Sequence, residues 1–269
     1  MTDQDFTRSR TDKFMDANVS IVEFESRHVV GANFFAEVDL TQIERMRDAS
    51  RASGARRPPY TAFVVKAVAK ALAEHPYANA RIFPRIPFLP LGRTLVRFRR
   101  RDVAVAAERS GEGMEAVAFC DILRSADERP LDEVSGWLKE LAEADLENNR
   151  QWREFSQTVQ RFPRWLSALL IRMPCFIPSL WIRYRGAAAL VSSPAKYGVD
   201  VVGATWVWPL GVSFGLVRQR PVVRDARIVA CPSFTLTLSF DRRMLAGAQT
   251  ARLFRRMVDI LESAETELA

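Results

Sequence analysis

Few side chains in this chain of 269 residues could move a proton or hold a metal. There are two histidines, His28 and His75, and three cysteines, Cys120, Cys175 and Cys231. His75 closes an amphipathic pattern just before Pro76, where a helix C-terminus favours the imidazolium and a structural role. His28 stands beside Arg27 between two segments of extended pattern, and its position in space is open at this level. The cysteines are scattered and odd in number, which suggests neither a disulfide framework nor a zinc cluster, so no metal site is assigned. The sequence has no phosphate-cradling glycine loop, no dinucleotide fingerprint and no His-Glu-x-x-His helix. Its charged chemistry is arginine chemistry. Arg97, Arg99, Arg100 and Arg101 have the composition of a nucleic-acid patch. They follow a short strand and alternate only partly, so a solvated strand end is preferred and nucleic acid is not a favoured partner. Arg242 and Arg243 follow Asp241 at the end of a strong strand pattern. A guanidinium stays protonated and cannot be a general base, but it can hold a phosphate or carboxylate.

Those residues need elements to position them. The composition, 48% hydrophobic and 26% charged, is that of a globular protein. The length suffices for a core without disulfide or metal staples. The net charge of +7 favours anionic partners: CoA phosphates, acidic proteins, anionic lipid or nucleic acid. The polar start lacks the apolar centre of a signal peptide, which together with unpaired thiols predicts a cytoplasmic protein.

Residues 1–18 read as an arm. Val19–Phe24 and Phe34–Val38 read as strands. The Thr41/Glu44 capping spacing predicts a helix over 41–52, and Val64, Val68 and Leu72 predict another over 61–75. Residues 82–92, rich in proline, read as an extended loop. Strands are expected at 95–98, 103–107 and 115–119, the last two joined by a turn at 110–113. Pro130 opens a helix with Leu131, Val134, Leu138 and Leu141 inward. The stretch 150–186 is atypically apolar. It is too short and too broken by Arg172 and prolines to span a membrane. A core or subunit-contact helix, or a membrane-surface contact through 162–183, both remain open. Strands follow at 188–192 and 212–217. The alternation of Phe234, Leu236, Leu238 and Phe240 predicts a further strand, and a helix begins at about Ala248. One α/β domain with a mixed β-sheet, over 19–269, is the economical reading.

Ser239-Phe240-Asp241-Arg242-Arg243-Met244-Leu245-Ala246-Gly247-Ala248 resembles the signature of the dihydrolipoyl acyltransferases, the acyl-transferring component of 2-oxoacid dehydrogenase complexes. That signature reads Ser-Phe-Asp-His-Arg-x-x-Asp-Gly-Ala, and chloramphenicol acetyltransferase, which shares the fold, has a related motif. Arg242 stands where the family has its catalytic histidine, and Ala246 where it has the second aspartate. The resemblance extends through Val38–Thr41, Thr61–Ala80, Asp102–Phe119, Ala189–Ser193, Gly215–Val223 and Pro232–Gly247. It departs over 150–186.

The resemblance implies a chloramphenicol acetyltransferase-like two-layer fold, its mixed sheet flanked by helices. It implies acyl transfer from a CoA or carrier-bound thioester, with no tightly bound cofactor. Ser192 is then the serine that donates to the tetrahedral oxyanion. Arg242 would bind charge rather than accept a proton. Ser193, Asp241, Arg243 and Gly247 would frame the substrate site, with Asp241 and Arg243 holding the loop and Gly247 easing a tight turn. A homotrimer with sites between subunits is implied. So is an acyl or lipoyl carrier supplied by another chain, since no lipoyl domain is visible here. The loss of both motif residues leaves a second reading open, a non-catalytic binding or assembly protein.

Overall fold

The computed structural model describes residues 12–84, 93–111, 114–145 and 147–268. The first eleven residues of the expected arm, most of the proline-rich loop and the second half of the 110–113 turn lie outside the described residues.

The first described element departs from the strand expected at 19–24. It is a helix, α1, Lys13–His28, with the Asp12 carboxylate accepting from the Met15 N–H at 2.7 Å. Phe14, Ala17, Ser20 and Phe24 are buried along one face. That spacing is helical, and burying those side chains outweighs the weak strand preference of Val19, Ile21 and Val22. Strand β1, Gly31–Asp39, helix α2, Thr41–Ala52, and helix α3, Tyr60–Glu74, follow as expected. A short hairpin of β2, Ala80–Phe83, and β3, Thr94–Arg97, replaces the start of the expected loop. Long strands β4, Val103–Gly111, and β5, Met114–Leu123, pair antiparallel, and α4, Leu131–Glu143, opens after Pro130.

The apolar stretch becomes three helices, α5, Arg150–Arg161, α6, Arg164–Arg172, and α7, Pro178–Arg185. No single helix among the described residues is long and apolar enough to cross a membrane; α6 with the turn after it meets α7 at 99°. Ser167, Ile171, Cys175 and Trp181 point inward. Trp165 and Leu169 are the large apolar side chains left exposed on α6. The chain closes with β6, Ala189–Ser192, β7, Leu210–Phe214, β8, Arg218–Arg224, β9, Arg227–Asp241, α8, Gly247–Glu262, and the short α9, Ala264–Glu267.

The main sheet runs β1-β9-β7-β6-β4-β5, with β8 also on β9. β6 is parallel to both β4 and β7; the other pairs are antiparallel. Its alternation sorts residues between two faces. Leu236, Leu238 and Phe240 join Val191, Val105 and the apolar sides of α3, α4 and α8 in the main core. On the opposite face α1, α5, α6 and α7 cover β4, β5 and β6, burying Ala104, Phe119, Leu190, Trp152 and Trp181.

The middle of that second face is covered by backbone. The segment from Gly198 to Val207 lies directly on β7, whose residues on this side are small: Gly211, Ser213 and, just beyond the strand, Gly215. The Ser213 hydroxyl donates to Val202 O at 3.0 Å. A Cβ at Gly215 would stand 1.8 Å from Asp200 O, and one at Gly211 would stand 2.0 Å from the Trp206 ring. Gly215→Ala should therefore displace the segment and lower stability by about 1–3 kcal/mol, the usual range for overpacking. A shift in the urea unfolding midpoint at unchanged slope would show it; an unaltered midpoint would count against this contact.

Candidate functional site

The sequence motifs fall at two opposite ends of the sheet. Ser192 is the last residue of β6 and is level with Ser213 of β7, which is level with Thr237 of β9. Arg242 lies five residues further along β9, past Asp241. At a rise of about 3.3 Å per residue, that offset alone is about 17 Å. Within one chain Ser192 and Arg242 are therefore not brought together.

At the first end, the C-terminal ends of β4 and β6 open into a cavity of about 740 Å³. Ser192 lines it, half-buried, and its hydroxyl makes no hydrogen bond with any described residue. Ser193 is engaged instead: its hydroxyl donates to Phe214 O at 2.9 Å and accepts from the Ala195 N–H at 3.3 Å, fixing the turn after β6.

Five basic residues, Arg56, Arg57, Arg109, Lys139 and Lys196, line this cavity against two acids, Glu108 and Glu143. Arg57 is held by Glu44 at 2.6 Å and Asp48 at 3.0 Å. Arg109 donates to the carbonyls of Leu141 and Glu108. The Nε atoms of both arginines are buried without a partner among the described residues. The N-terminus of α3 reaches the same cavity through Pro59 and Thr61. No acidic residue or side-chain cap occupies its first turn, so its free N–H groups add positive potential. Sequence reasoning missed this basic rim. Its signal was Arg56-Arg57 just before Pro58-Pro59 and a helix start.

At the other end, Arg243 grips the buried Asp241 carboxylate as a fork, Nε to Oδ1 at 2.9 Å and Nη2 to Oδ2 at 2.5 Å, while its own N–H donates to Oδ1 at 3.0 Å. This pair holds the chain as it leaves β9. The Arg242 side chain is exposed, and the residue's backbone N–H donates to Val30 O at 2.9 Å. Gly247 begins α8 with Ala246 as its cap, outside the left-handed region, and a Cβ there would meet nothing within 4 Å. A tight turn does not require it.

His28 sits two residues before Val30, at the same corner. Its Nδ1 lies 2.9 Å from Phe24 O, and its ring stacks on Phe24 at 4.1 Å. A proton on Nδ1 leaves Nε2 as the acceptor. His75 caps α3 beside Tyr77. Beneath the corner is a group the sequence did not reveal. Buried Arg81 stacks on Trp181 at 3.6 Å and donates to Val207 O. Glu25 accepts from the Val207 N–H at 2.9 Å. Burial pushes the Glu25 carboxyl up to about 7, against the lowering pull of the Val207 hydrogen bond, Arg185 and Arg81. Among the described residues no cluster of His, Cys, Asp and Glu has the makings of a metal site.

The comparisons agree with this architecture. The model of the family "2-oxoacid dehydrogenases acyltransferase (catalytic domain)" matches residues 8–158 and 185–269. The chain belongs to that family. The unmatched internal residues, 159–184, are the end of α5, α6 with the turn after it, and nearly all of α7. The dihydrolipoyllysine-residue acetyltransferase component of the pyruvate dehydrogenase complex of Bacillus subtilis is 23% identical over 232 residues, 85% of this chain and 44% of that protein. This chain thus spans less than half of that relative. The dihydrolipoamide acetyltransferase of Azotobacter vinelandii superposes with a TM-score of 0.72 at 18% identity, covering 98% of this chain and 94% of that one. The probable dihydrolipoamide acetyltransferase of Listeria monocytogenes gives 0.70 at 18%, covering 96% and 95%. The mixed sheet flanked by helices is therefore the fold of these acyltransferase cores, the chloramphenicol acetyltransferase-like fold expected from the motif.

The buried carboxyl yields a pH prediction. Folded Glu25 titrates at about 7, above its ordinary 4.5. Between those values the folded state keeps a proton that the unfolded chain releases, so Glu25 makes stability fall as pH rises through that window. In Glu25→Gln that downward contribution should be gone. Urea unfolding at a series of pH values reads it, and an unchanged pH slope would show that Glu25 is not the buried titrating group.

Proposed function

We propose that this domain binds a CoA thioester in the Ser192 cavity and belongs to an acyl-transfer reaction, with Ser192 as the oxyanion donor. The observation that carries the reading is the unengaged Ser192 hydroxyl at the mouth of a basic cavity, on an acyltransferase fold. CoA is polyanionic, and the five cations with the α3 N-terminus suit its phosphates. In the Azotobacter vinelandii enzyme, a serine and a histidine are among the residues whose catalytic role was investigated. Here the histidine position is Arg242, which cannot take a proton. Losing a general base lowers rate by about 10²–10⁴-fold. A thiol acceptor suffers least, because a few per cent of it is thiolate near neutral pH.

Ser192 and Arg242 can share a site only across a subunit contact. Self-association as a homotrimer fits this, and apolar side chains are available for it: Phe35 on β1 is 52% exposed, and Val223 and Ile228 at the β8–β9 end are 70% and 77% exposed. A lipoyl or other carrier protein would then deliver or receive the acyl group. We read the chain from α1 onward as one catalytic-type domain, since residues 13–18 of the expected arm are helical and bury Phe14 and Ala17, with the helices of 150–186 as its addition. A membrane contact through 162–183 has little to offer beyond Trp165 and Leu169, so the protein should stay in the soluble fraction on liposome flotation.

Calorimetric titration with CoA, with oligomer mass measured on the same sample, tests the reading. CoA should bind saturably, and Arg109→Ala should weaken it. Ser192→Ala should lower acetyl transfer about 10²–10³-fold, the usual loss for one oxyanion donor, with CoA affinity retained. Arg242→His with Ala246→Asp should raise turnover about 10²–10⁴-fold. A folded protein that ignores CoA would overturn the proposal. CoA binding without turnover in either form would favour the second reading, a binding protein on an acyltransferase scaffold, which the exposed Arg242 already motivates.

A further inference from the structure

A second pocket, of about 310 Å³, lies between β5 and the α5–α7 helices. Its size is at the lower end of small-ligand sites. Phe119, Phe155, Leu170, Ile171, Met173 and Leu180 give it an apolar wall. Four of these six, Leu170, Ile171, Met173 and Leu180, lie within the unmatched stretch, in α6, the turn after it and α7. Burial pushes the Cys120 thiol in its wall up to about 12, so the thiol is neutral and adds no charge.

Arg185 also lines the pocket. Its guanidinium makes no hydrogen bond and no ion-pair contact with any described residue, and its Nε is buried without a partner. Its ordered neighbour is the Trp208 ring, with the centroid 5.3 Å away. The charged groups it feels are Glu25 and Arg81. Two guanidiniums thus share one carboxylate, which itself is held by the Val207 N–H. Glu154, the carboxylate in the pocket lining, is engaged by Arg150 at 2.8 Å and Arg183 at 3.8 Å. A guanidinium whose Nε is buried without a partner, and whose one nearby carboxylate is shared with a second cation, is incompletely compensated. An anion entering with an apolar tail would satisfy the charge and fill the wall together.

We infer that this pocket binds a fatty monocarboxylate of medium chain length, its carboxylate on Arg185 and its tail among Phe119, Phe155, Leu170 and Ile171. This assignment stands apart from the CoA reading of the Ser192 cavity. The planar guanidinium matches a carboxylate as a fork, and the aromatic and aliphatic wall suits an alkyl chain. The modest volume excludes a long chain held wholly inside.

Decanoate and decanol are the probes, titrated into the purified full chain below micelle-forming concentration, by calorimetry and by tryptophan fluorescence, since Trp208 adjoins Arg185. Decanoate should bind saturably, one per chain, and more tightly than decanol. Arg185→Met should weaken decanoate about tenfold to a hundredfold, the worth of a hydrogen bond to a charged group, and leave decanol unchanged. Leu170→Trp, which fills the pocket, should abolish both. Thermal melting confirms that each variant is folded, and Leu170→Trp alone decides the question should Arg185→Met fail to fold. Absence of saturable decanoate binding, equal binding by Arg185→Met, or binding retained in a folded Leu170→Trp would each overturn the inference.

Discussion

The architecture depends on one close approach, the backbone of 198–207 lying on the face of β7. A sheet face can take another stretch of backbone directly only where its side chains are nearly absent, and Gly211, Ser213 and Gly215 provide that strip. The polar groups of the covering segment are then satisfied locally, as at Ser213 and Val202. The contact also sets the height of Val207 and Trp208. Both backbone polar groups of Val207 are used, its N–H by Glu25 and its carbonyl by Arg81. The N-terminal helix, the β2 hairpin and the end of α7 are thereby tied to one short run of chain.

The ends of the sheet differ in electrostatic character, and the difference follows from strand direction. β4 and β6 are parallel, so their C-terminal ends and the N-terminus of α3 meet at one edge, where arginines and lysines gather around a free serine. β9 runs the other way and delivers Asp241, Arg242 and Arg243 to the far edge. There Arg243 holds the buried Asp241 carboxylate as a fork, while the Arg242 side chain faces solvent. A guanidinium stays protonated, so this end of the sheet presents a fixed positive charge and no proton acceptor at that position.

The α5–α7 helices change what the second face of the sheet can do. They bury β5 and β6 under Trp152 and Trp181 and enclose a pocket whose cation, Arg185, has no hydrogen-bond partner for its buried Nε among the described residues. Aromatic stacking makes this tolerable, with Arg81 on Trp181 and Arg185 near Trp208. Burial in this layer also raises the Glu25 carboxyl and the Cys120 thiol.

Most of the elements and the family were legible in the sequence, because they rest on local periodicity and on a motif. The helices at 41–52 and 60–74, the alternation of 234–240 and the Ser239–Ala248 signature each speak within a few residues. Element α1 was misread because Val19, Ile21 and Val22 favour a strand locally, whereas the buried file Phe14, Ala17, Ser20 and Phe24 gains its energy only from partners far along the chain. The role of Gly247 was likewise inferred from its type, and the backbone there needs no glycine. Spatial partnership was the part that sequence could not supply. The separation of Ser192 from Arg242, the basic rim of Arg56, Arg57 and Arg109, and the unpartnered Nε of Arg185 arise from strand direction and from burial. Both are properties of the assembled sheet, and no run of neighbouring residues encodes them.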